Sequence, residues 1–568
     1  MRDQKAAFAA AASTVVGQPA EDVASLIEYP PQRDLGDLAL PCFRFAKTLR
    51  MSPQDIAARI AQALEGRPEF ASAAVVGGYV NVKVAREHAA TMAVRQIRAD
   101  FEAFISRQRL RGHRAAIDYS SPNIAKPFGV GHLRSTMIGQ SIVRLLQMDG
   151  CETVGINHLG DWGTQFGKNI AAYLKWGDEE TVRRDPVREL LKLYVRFHEE
   201  AKVDPTLDEE GRAWFKKLED GDPQAVALWQ WFIDESRKVF DQTYEMLGVK
   251  FDYYLGESFY NDKMQPVVDE LRERGLLTVS EGAEVVDLSA WNMPPCIIVK
   301  SDGATIYATR DLAAALYRHD VLGADRLIYV VGAEQSLHFA QVFKVLELMD
   351  RPWAKDCRHV AFGMMKYNGE RLSTRRGKVV YLEDVLQQAI SEARKIIEAK
   401  NPSLPDKEAV AKAVGVGAVV FNDLKNYRMH DVDFRFEDVL NFDGETGPYV
   451  QYTHARACSV LRKAADQGCA LPEEVHFTEV GDLEWAVIHQ LNQANEVLER
   501  AVDELDPSLI ARFTLDLCHT FNRFYHDVPV LGADTEAVRM QRLALVDACR
   551  IAIARTLYLL GLEAPERM

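Results

Sequence analysis

One loop in the first third of the chain has the residue types of a phosphate-binding site. Residues 120–131 form a Pro- and Gly-containing segment that ends where an amphipathic helix is predicted to begin. Free backbone N–H groups at a helix N-terminus favour phosphate, and Gly129 and Gly131 let that backbone approach closely. His132 can then donate to a phosphoryl oxygen. A tight connection without a ligand is the plainer interpretation of such a turn.

Two further loops follow predicted strands, where open α/β sheets bind ligands. Residues 160–167 read GDWGTQFG, for which the plainer interpretation is a glycine-rich turn anchored by Trp162. Residues 332–338 read GAEQSLH and open a helix, so the Glu334 carboxylate can either hold ribose hydroxyls or favour the helix dipole. Three such loops at three strand ends indicate a nucleotide site more strongly than one.

Charged residues suggest what the rest of the site binds. Tyr307 and Asp311 lie four apart at a strand-to-helix junction, where a phenol and a carboxylate can face a cationic ligand, although a helix-start Asp is commonly a cap. The basic run 371–378, RLSTRRGK, can clamp phosphates that gain charge in a transition state. Its alternative is a solvated loop.

Basic and aromatic residues also alternate in the last third of the chain. Residues 425–428 read KNYR and residues 449–456 read YVQYTHAR. Such interleaving suits stacking on unpaired RNA bases. Ordinary helix packing is the alternative, and the sequence alone favours it for these segments.

The elements that position these residues predict three regions. Residues 1–107 are expected to form a small α+β module with a strand or hairpin over AVVGGYVNVKV. Residues 108–380 alternate strand, loop and helix, which predicts a parallel sheet, with a charged, Trp-rich helical insertion at about 168–290 after which CIIVKSDG resumes the pattern. Residues 381–568 are expected to be helical. The fold class is α/β, a Rossmann-type domain with a helical insertion and with α+β and all-α domains on either side.

Composition excludes several classes of protein. With 568 residues, 47% of them hydrophobic, the chain is expected to form about three or four cored domains. The eight cysteines lack zinc-site spacing, so reduced thiols in a cytoplasmic protein are expected and no structural metal is. No stretch approaches the roughly 20 apolar residues of a membrane span. The net charge of −15 argues mildly against a nucleic-acid partner, but local basic clusters remain.

Taken together and in this order, the segments resemble those of arginyl-tRNA synthetases over essentially the whole chain. SPNIAKPFGVGHLRST occupies the place of the class I HIGH motif, and GDWGTQFG follows at the family's spacing. The other family-typical segments are DGATIYATRDLA, YVVGAEQSLHFAQ, VVFNDLKNYR and GETGPYVQYTHAR.

The resemblance implies an arginine–tRNA ligase that activates L-arginine with ATP and Mg²⁺ and transfers it to the terminal adenosine of tRNA(Arg). It also implies a catalytic domain with a connective insertion, a helical anticodon-binding domain and an N-terminal module that touches the tRNA elbow. A cytoplasmic monomer that makes no membrane contact is expected, and activation itself is expected to need bound tRNA.

Matching positions imply the site residues. The arginine pocket is expected at Asp118, Asn123, Tyr307, Asp311 and Gln335. The ATP site is expected at Gly129, Gly131, His132, Gly332, Glu334, Met365 and Ser373. Contacts to tRNA are expected from Tyr79, Asn81, Tyr449 and Arg456, and the catalytic groups are expected to be Lys126, His132 and Arg375.

Two positions depart from the family pattern. Gly129 stands where the first HIGH histidine would be, and Thr374 stands where the second lysine of the KMSKS loop would be. Some family members that lack this lysine are thought to use the lysine upstream of HIGH, which is Lys126 here. Two alternatives follow: a small-molecule nucleotidyltransferase of the same fold, and a non-catalytic sensor of arginine or tRNA.

Overall fold

The N-terminal region forms a three-stranded antiparallel sheet covered by helices. The structure is a computed structural model that describes residues 1–32, 35–371, 380–442 and 444–568. The sheet order is β1-β3-β2, and the predicted hairpin is β2–β3, which turns at Gly77 and Gly78, both with positive φ. The elements are α1 (Arg2–Val16), α2 (Ala20–Ala24), β1 (Leu38–Pro41), α3 (Phe43–Leu49), α4 (Pro53–Leu64), β2 (Phe70–Val76), β3 (Tyr79–Val84), α5 (Arg86–Ala99) and α6 (Phe101–Ile105).

The central region contains a parallel sheet and a large insertion. Its elements are β4 (Arg114–Asp118), α7 (Gly131–Met148), β5 (Glu152–Asn157), α8 (Thr164–Trp176), α9 (Glu179–Arg184), α10 (Pro186–Ala201), α11 (Thr206–Glu219), α12 (Pro223–Leu247), β6 (Tyr253–Tyr254), α13 (Met264–Glu273), β7 (Leu277–Ser280), β8 (Ala283–Val286), β9 (Cys296–Val299), α14 (Tyr307–Asp320), β10 (Arg326–Tyr329), α15 (Ser336–Leu348), β11 (Cys357–His359), β12 (Met365–Tyr367) and β13 (Glu370–Arg371).

The parallel sheet has the strand order β11-β10-β4-β5-β6. Every neighbouring pair in it is parallel. The chain order of the strands therefore reverses between β4 and β10, which is the topological switch point where open α/β sheets bind ligands. In register, Asp118 at the end of β4 lies between Tyr329 of β10 and Ile156 of β5. The predicted Rossmann-type domain is confirmed.

The insertion contains helices followed by a small separate sheet. Helices α8 to α12 form its charged, Trp-rich part. The prediction that CIIVKSDG resumes the parallel sheet is wrong, because β9 pairs antiparallel with β8 in a separate three-stranded sheet. Ile297 in the middle of β9 is exposed, as expected for an antiparallel sheet with one solvated face. A short apolar run alone does not distinguish the two kinds of sheet.

The C-terminal region is helical with one exception. Its elements are α16 (Leu382–Lys400), α17 (Lys407–Leu424), β14 (Val432–Phe434), α18 (Phe436–Val439), α19 (Gly447–Asp466), α20 (Asp482–Leu491), α21 (Ala494–Glu504), α22 (Ser508–Asp527) and α23 (Glu536–Leu559). The exception, β14, returns to the central region and pairs in parallel with β12. Helices α17 and α19 cross closely, since a Cβ at Gly447 would lie 2.4 Å from the Gly417 carbonyl oxygen.

All eight cysteines are free, and most are buried. Along the described ranges, no helix combines the length and the apolar character that crossing a bilayer requires.

Candidate active site

The loop between β4 and α7 is held in a strained backbone conformation. Ser120, Ser121 and Ala125 have φ values of 72°, 49° and 57°, a region that non-glycine residues rarely adopt. The Ser120 backbone N–H donates to Ser135 Oγ at 2.9 Å, and the Ala125 N–H donates to Ser236 Oγ at 3.1 Å. Hydrogen bonds to helices α7 and α12 therefore hold the loop in this conformation. Strained backbone of this kind tends to occur at functional sites.

His132 stands in the first turn of α7 with Nδ1 turned toward the backbone of Gly129. The Gly129 backbone N–H donates to His132 Nδ1 at 3.1 Å. Burial lowers the pKa of His132, so the ring is neutral near pH 7. The Gly129 carbonyl oxygen also lies 3.3 Å from Nδ1, so the two contacts correspond to the two tautomers of the ring. In the tautomer whose Nδ1 accepts from Gly129, Nε2 carries the proton and can donate to a phosphate.

The same loop is paired with the chain that leads into α16. The Val130 N–H donates to the Val380 carbonyl and the Leu382 N–H donates to the Phe128 carbonyl, each at 3.0 Å. This pairing places Val380 beside the start of α7. Ser373 and Arg375, which were predicted to contact ATP phosphates, lie outside the described residues, as do Thr374 and the rest of 372–379.

Two of the predicted loops meet through Asn123 and Gly160. The Ile124 N–H donates to the Gly160 carbonyl at 3.1 Å, and a Cβ at position 160 would lie 2.4 Å from Asn123 Oδ1. Only glycine fits at 160 with Asn123 in this position. Asn123 is exposed, and Lys126, three residues later in the same loop, is half-buried.

Trp162 anchors the second loop, as its plainer interpretation predicted. Its ring makes edge contacts with Phe215 and Trp229, with centroids 5.6 and 5.7 Å away. Trp229 Nε1 donates to the Asp161 carbonyl at 2.7 Å. The insertion helices thus hold the loop that carries Gly160 in place.

Asp118 is paired within the protein. Its Oδ2 accepts from Arg318 at 2.7 Å, and its Oδ1 accepts from Ser121 Oγ at 2.9 Å. Both Asp118 and Arg318 are buried. Arg318 lies on α14 two turns after Asp311, about 10 Å along the axis. Asp118 was expected to line the arginine pocket, and Arg318 already balances its charge within the protein.

Asp311 lies on the first turns of α14 and is more exposed than Asp118. His338 Nε2 lies 2.5 Å from Asp311 Oδ2. Tyr307 begins the same helix and is 67% exposed, so its phenol is accessible. Gln335 is exposed just before α15, the helix that carries His338. The structure thus brings the starts of α14 and α15 together around Asp311.

Glu257 is a half-buried carboxylate near Asp311 that was not predicted from the sequence. Burial, together with the nearby Asp161 and Asp311, raises the pKa of Glu257 to about 7, although Arg310 acts in the opposite direction. The Glu257–Arg310 contact is 3.8 Å. The available signal was the position of Gly256-Glu257-Ser258 directly after the strand β6. It was missed because that strand has only two residues.

Three residues predicted to bind ATP, Gly332, Glu334 and Met365, lie along one strip of backbone formed by residues 332–334 and 362–365. Gly332 forms a parallel bridge with Phe362, and the Ala333 N–H donates to the Phe362 carbonyl at 3.0 Å. The Glu334 carboxylate folds over Gly332, where a Cβ would lie 2.4 Å from its oxygens. Met365 is buried at the start of β12, which continues the strip.

A second candidate site is a cavity of about 730 Å³ between helices of the C-terminal region. Arg456 lies over the rings of Tyr452 and Tyr525, at 4.9 and 5.6 Å from their centroids. Both tyrosines are exposed, at 42% and 37%. Asn522 links Arg456 to Tyr449, whose hydroxyl accepts from Asn522 Nδ2 at 3.0 Å. Tyr449 itself is half-buried, so Tyr452 and Tyr525 carry the accessible rings.

The basic residues of KNYR have structural partners instead. Lys425 Nζ donates to the Glu445 carbonyl at 2.9 Å, and Arg428 donates to the Ala361 carbonyl at 2.8 Å. Interpreting this segment as RNA-binding is therefore not supported for these two side chains, and the packing alternative accounts for them.

In the N-terminal module, the two predicted tRNA residues occupy β3. The Tyr79 ring makes an edge contact with Phe43, with centroids 5.4 Å apart. Asn81 lies on the same face two residues later and is only 7% exposed. Tyr79 is thus the more accessible of the two.

Comparison with known proteins covers all three regions. The family model "tRNA synthetases class I (R), catalytic domain" matches residues 102–436. The DALR anticodon binding domain model matches residues 450–568, and the arginyl tRNA synthetase N terminal domain model matches residues 3–84.

Individual relatives match along the whole chain. The chain is 50% identical to arginine–tRNA ligase 1 of Bacillus cereus over all of both sequences, and 51% identical to arginine–tRNA ligase of Exiguobacterium sibiricum over 96% of each. The solved structure of Thermus thermophilus arginyl-tRNA synthetase is 26% identical and superposes with a TM-score of 0.82 over 99% of each chain. The chain therefore belongs to the class I arginyl-tRNA synthetases.

Proposed function

We propose that this chain, an arginine–tRNA ligase by family, activates L-arginine with ATP at the switch point between β4 and β10 and then transfers it to tRNA(Arg). The observation that carries the assignment is the meeting of three glycine-containing loops at one edge of the parallel sheet. The arginine carboxylate attacks the ATP α-phosphorus in line and pyrophosphate leaves. The terminal tRNA hydroxyl then attacks the carbonyl carbon of the arginyl-adenylate, the ester bond to tRNA forms and AMP leaves. Catalysis is mainly positioning and electrostatic stabilisation.

The arginine side chain binds at the start of α14. A guanidinium stays protonated and forms strong, charge-assisted hydrogen bonds with carboxylate acceptors. Asp311 and Glu257 supply that charge, and Asp118 contributes a charge shared with Arg318. The Tyr307 phenol covers the ligand. Asn123 and Gln335, both exposed at the same edge, complete the pocket.

ATP binds along the neighbouring strip. Gly129 and Gly131 admit the phosphates to the α7 N-terminus, and His132 Nε2 donates to them. Adenosine lies against Gly332, Glu334 and Met365. Mg²⁺ enters with ATP, since this ion is usually held through substrate phosphates. Lys126, Ser373 and Arg375 are the proposed groups on the leaving pyrophosphate.

tRNA contacts the chain at both ends. Tyr79 and Asn81 contact an unpaired base at the elbow, with Tyr79 stacking and Asn81 bonding the base edge. In the C-terminal cavity, an unpaired base stacks on Tyr452 or Tyr525 beside Arg456 and Tyr449, because aromatic and guanidinium planes bind single-stranded bases. We assign the protein as a monomer in this complex.

A charging assay tests the proposal. Purified enzyme, ATP, Mg²⁺ and tRNA(Arg) are incubated with labelled arginine, lysine or citrulline, the last being a neutral analogue of arginine. Charging with arginine only is expected. Charging with citrulline at comparable efficiency would show that carboxylate recognition of a cation is not what selects the substrate.

A further inference from the structure

Arg134 is a fully buried cation two residues after His132 on α7. It is 1% exposed and is among the largest fully buried side chains of the described residues. Two residues along a helix correspond to about 200° of rotation, so Arg134 points away from the ATP side, on which His132 lies. The residue is therefore outside the contacts already assigned to ATP.

The guanidinium of Arg134 joins two backbone segments. One terminal nitrogen donates to the carbonyls of Gly363 and His430 at 2.7 and 2.8 Å, and the other donates to the carbonyl of Arg428 at 3.2 Å. A guanidinium presents five donors in a rigid plane, which a lysine cannot reproduce. One side chain thus fixes residue 363 relative to residues 428–430.

A buried carboxylate balances this charge. Arg134 Nε lies 2.9 Å from Oδ1 of Asp423 on α17, and both residues are 1% exposed. A buried ion pair of this kind is costly to break, because removing one partner leaves the other charge uncompensated. The pair therefore fixes α7, which begins with the ATP-binding turn, against the helical C-terminal region.

The backbone at Gly363 packs closely against the backbone of residues 428–430. A Cβ at position 363 would lie 2.7 Å from the His430 carbonyl carbon and 2.8 Å from the Met429 carbonyl oxygen. The Gly363 N–H donates to the Arg428 carbonyl at 2.9 Å. Gly363 directly follows Phe362, the bridge partner of Gly332, and lies two residues before Met365. Fixing residue 363 fixes the strip proposed to hold adenosine.

We propose that Arg134 is a positioning residue for ATP: it sets the separation between His132 on α7 and the adenosine strip, and it does so through backbone and a carboxylate of the helical C-terminal region. The inference rests on the proposed ATP site. It assigns Arg134 no contact with substrate. A displacement of about 1 Å at such a distance from the chemistry can lower a rate by 10²-fold.

Arginine-dependent exchange of pyrophosphate into ATP at saturating tRNA tests the role. Arg134→Lys keeps the positive charge but loses the planar guanidinium that bonds several carbonyls at once, so kcat/KM for ATP is expected to fall about 10- to 100-fold. The KM for arginine is expected to change less than twofold. Asp423→Asn keeps the volume and is expected to shift the ATP parameters in the same direction; if Arg134→Lys does not fold, this variant decides the matter.

Arg98→Lys is the matched control. Arg98 on α5 also pairs with a carboxylate, Asp547, at 3.1 Å, and it donates to the carbonyls of Pro472 and Glu473 at 2.9 Å, away from the ATP strip. Unchanged ATP parameters are expected for this control. The proposal is overturned if Arg134→Lys and Asp423→Asn keep wild-type ATP parameters, or if ATP and arginine parameters worsen equally. Absence of exchange in the wild-type enzyme would instead contradict the proposed function.

Discussion

The switch-point site and the C-terminal cavity handle charge in opposite ways. At the switch point, three carboxylates lie beside basic side chains: Asp118 is paired with Arg318, Asp311 with His338, and Glu257 lies near Arg310. In the cavity, Arg456 contacts the neutral Asn522 and lies over two exposed tyrosine rings. The first arrangement is preorganised and intolerant of substitution. The second is an accessible surface whose contacts contribute separately, so smaller losses are expected there.

The largest effect is expected from Asp311→Asn. A guanidinium opposite a neutral amide loses a charge partner, and truncating one side of such a buried pair costs on the order of 2–5 kcal/mol. The kcat/KM for arginine in the charging assay should fall accordingly, with the KM for ATP little changed. Wild-type efficiency at limiting arginine would remove Asp311 from the pocket.

Lys126→Ala should come next. A cation aimed at the leaving pyrophosphate lowers the barrier more than it tightens ground-state ATP, and losing one such donor costs roughly 10²- to 10³-fold in kcat. The KM for ATP should change much less. Thr374→Lys in the Lys126→Ala background should restore part of the rate, because the two positions would serve the same oxygens.

The plain alternative for Lys126 is a solvated loop residue. Its loss would then cost under about 0.5 kcal/mol. A Lys126→Ala enzyme that exchanges pyrophosphate at a near-normal rate would support this alternative and turn attention to Arg375 and Lys378.

Sequence patterns predicted individual helices and strands better than contacts between residues that are distant in the sequence. The strand β4, the helix α7 and the hairpin β2–β3 follow from apolar periodicity and glycine turns, so they could be placed. The pairing of Asp118 with Arg318 joins residues 200 positions apart, and no local pattern specifies such a contact. For the same reason the antiparallel setting of β9 and the burial of Glu257 were not foreseen. In the cavity, Tyr525 was missed because it comes from α22 while Arg456 comes from α19.

A smaller effect is expected in the C-terminal cavity. Tyr525→Ala removes one accessible ring, and loss of stacking on a base costs about 1–3 kcal/mol. This loss should appear as a higher KM for tRNA, with arginine and ATP parameters unchanged at saturating tRNA. Arg500→Ala, an exposed position on α21, is the matched control. A Tyr525→Ala effect on the KM for arginine would contradict the separation of the two sites.

The smallest effect should be a pH dependence caused by Glu257. Its pKa is about 7, above the usual 4.5, because the carboxyl is partly buried near Asp161 and Asp311. A bound guanidinium favours the charged carboxylate, so arginine binding below pH 7 must displace a proton. The KM for arginine should therefore fall as pH rises through about 7 and level off above it.

Glu257→Gln should remove the pH dependence of the KM for arginine. The free energy of unfolding, measured as a function of pH, is an independent test. Because the folded-state pKa is raised, the favourable contribution of this group to stability is fully present below pH 4.5 and is lost as pH rises through about 7. The Gln variant should lack this decline. A wild-type KM for arginine that does not vary between pH 6 and 8 would assign Glu257 no role in binding.

The most direct test of the account is exchange of labelled pyrophosphate into ATP by the wild-type enzyme, with and without arginine and with and without tRNA. The preorganised switch-point site predicts exchange that requires arginine and is strongest when tRNA(Arg) is bound. Exchange without arginine would indicate a different nucleotidyltransferase. No exchange with all substrates present would contradict catalysis at this site and leave a non-catalytic sensor as the explanation.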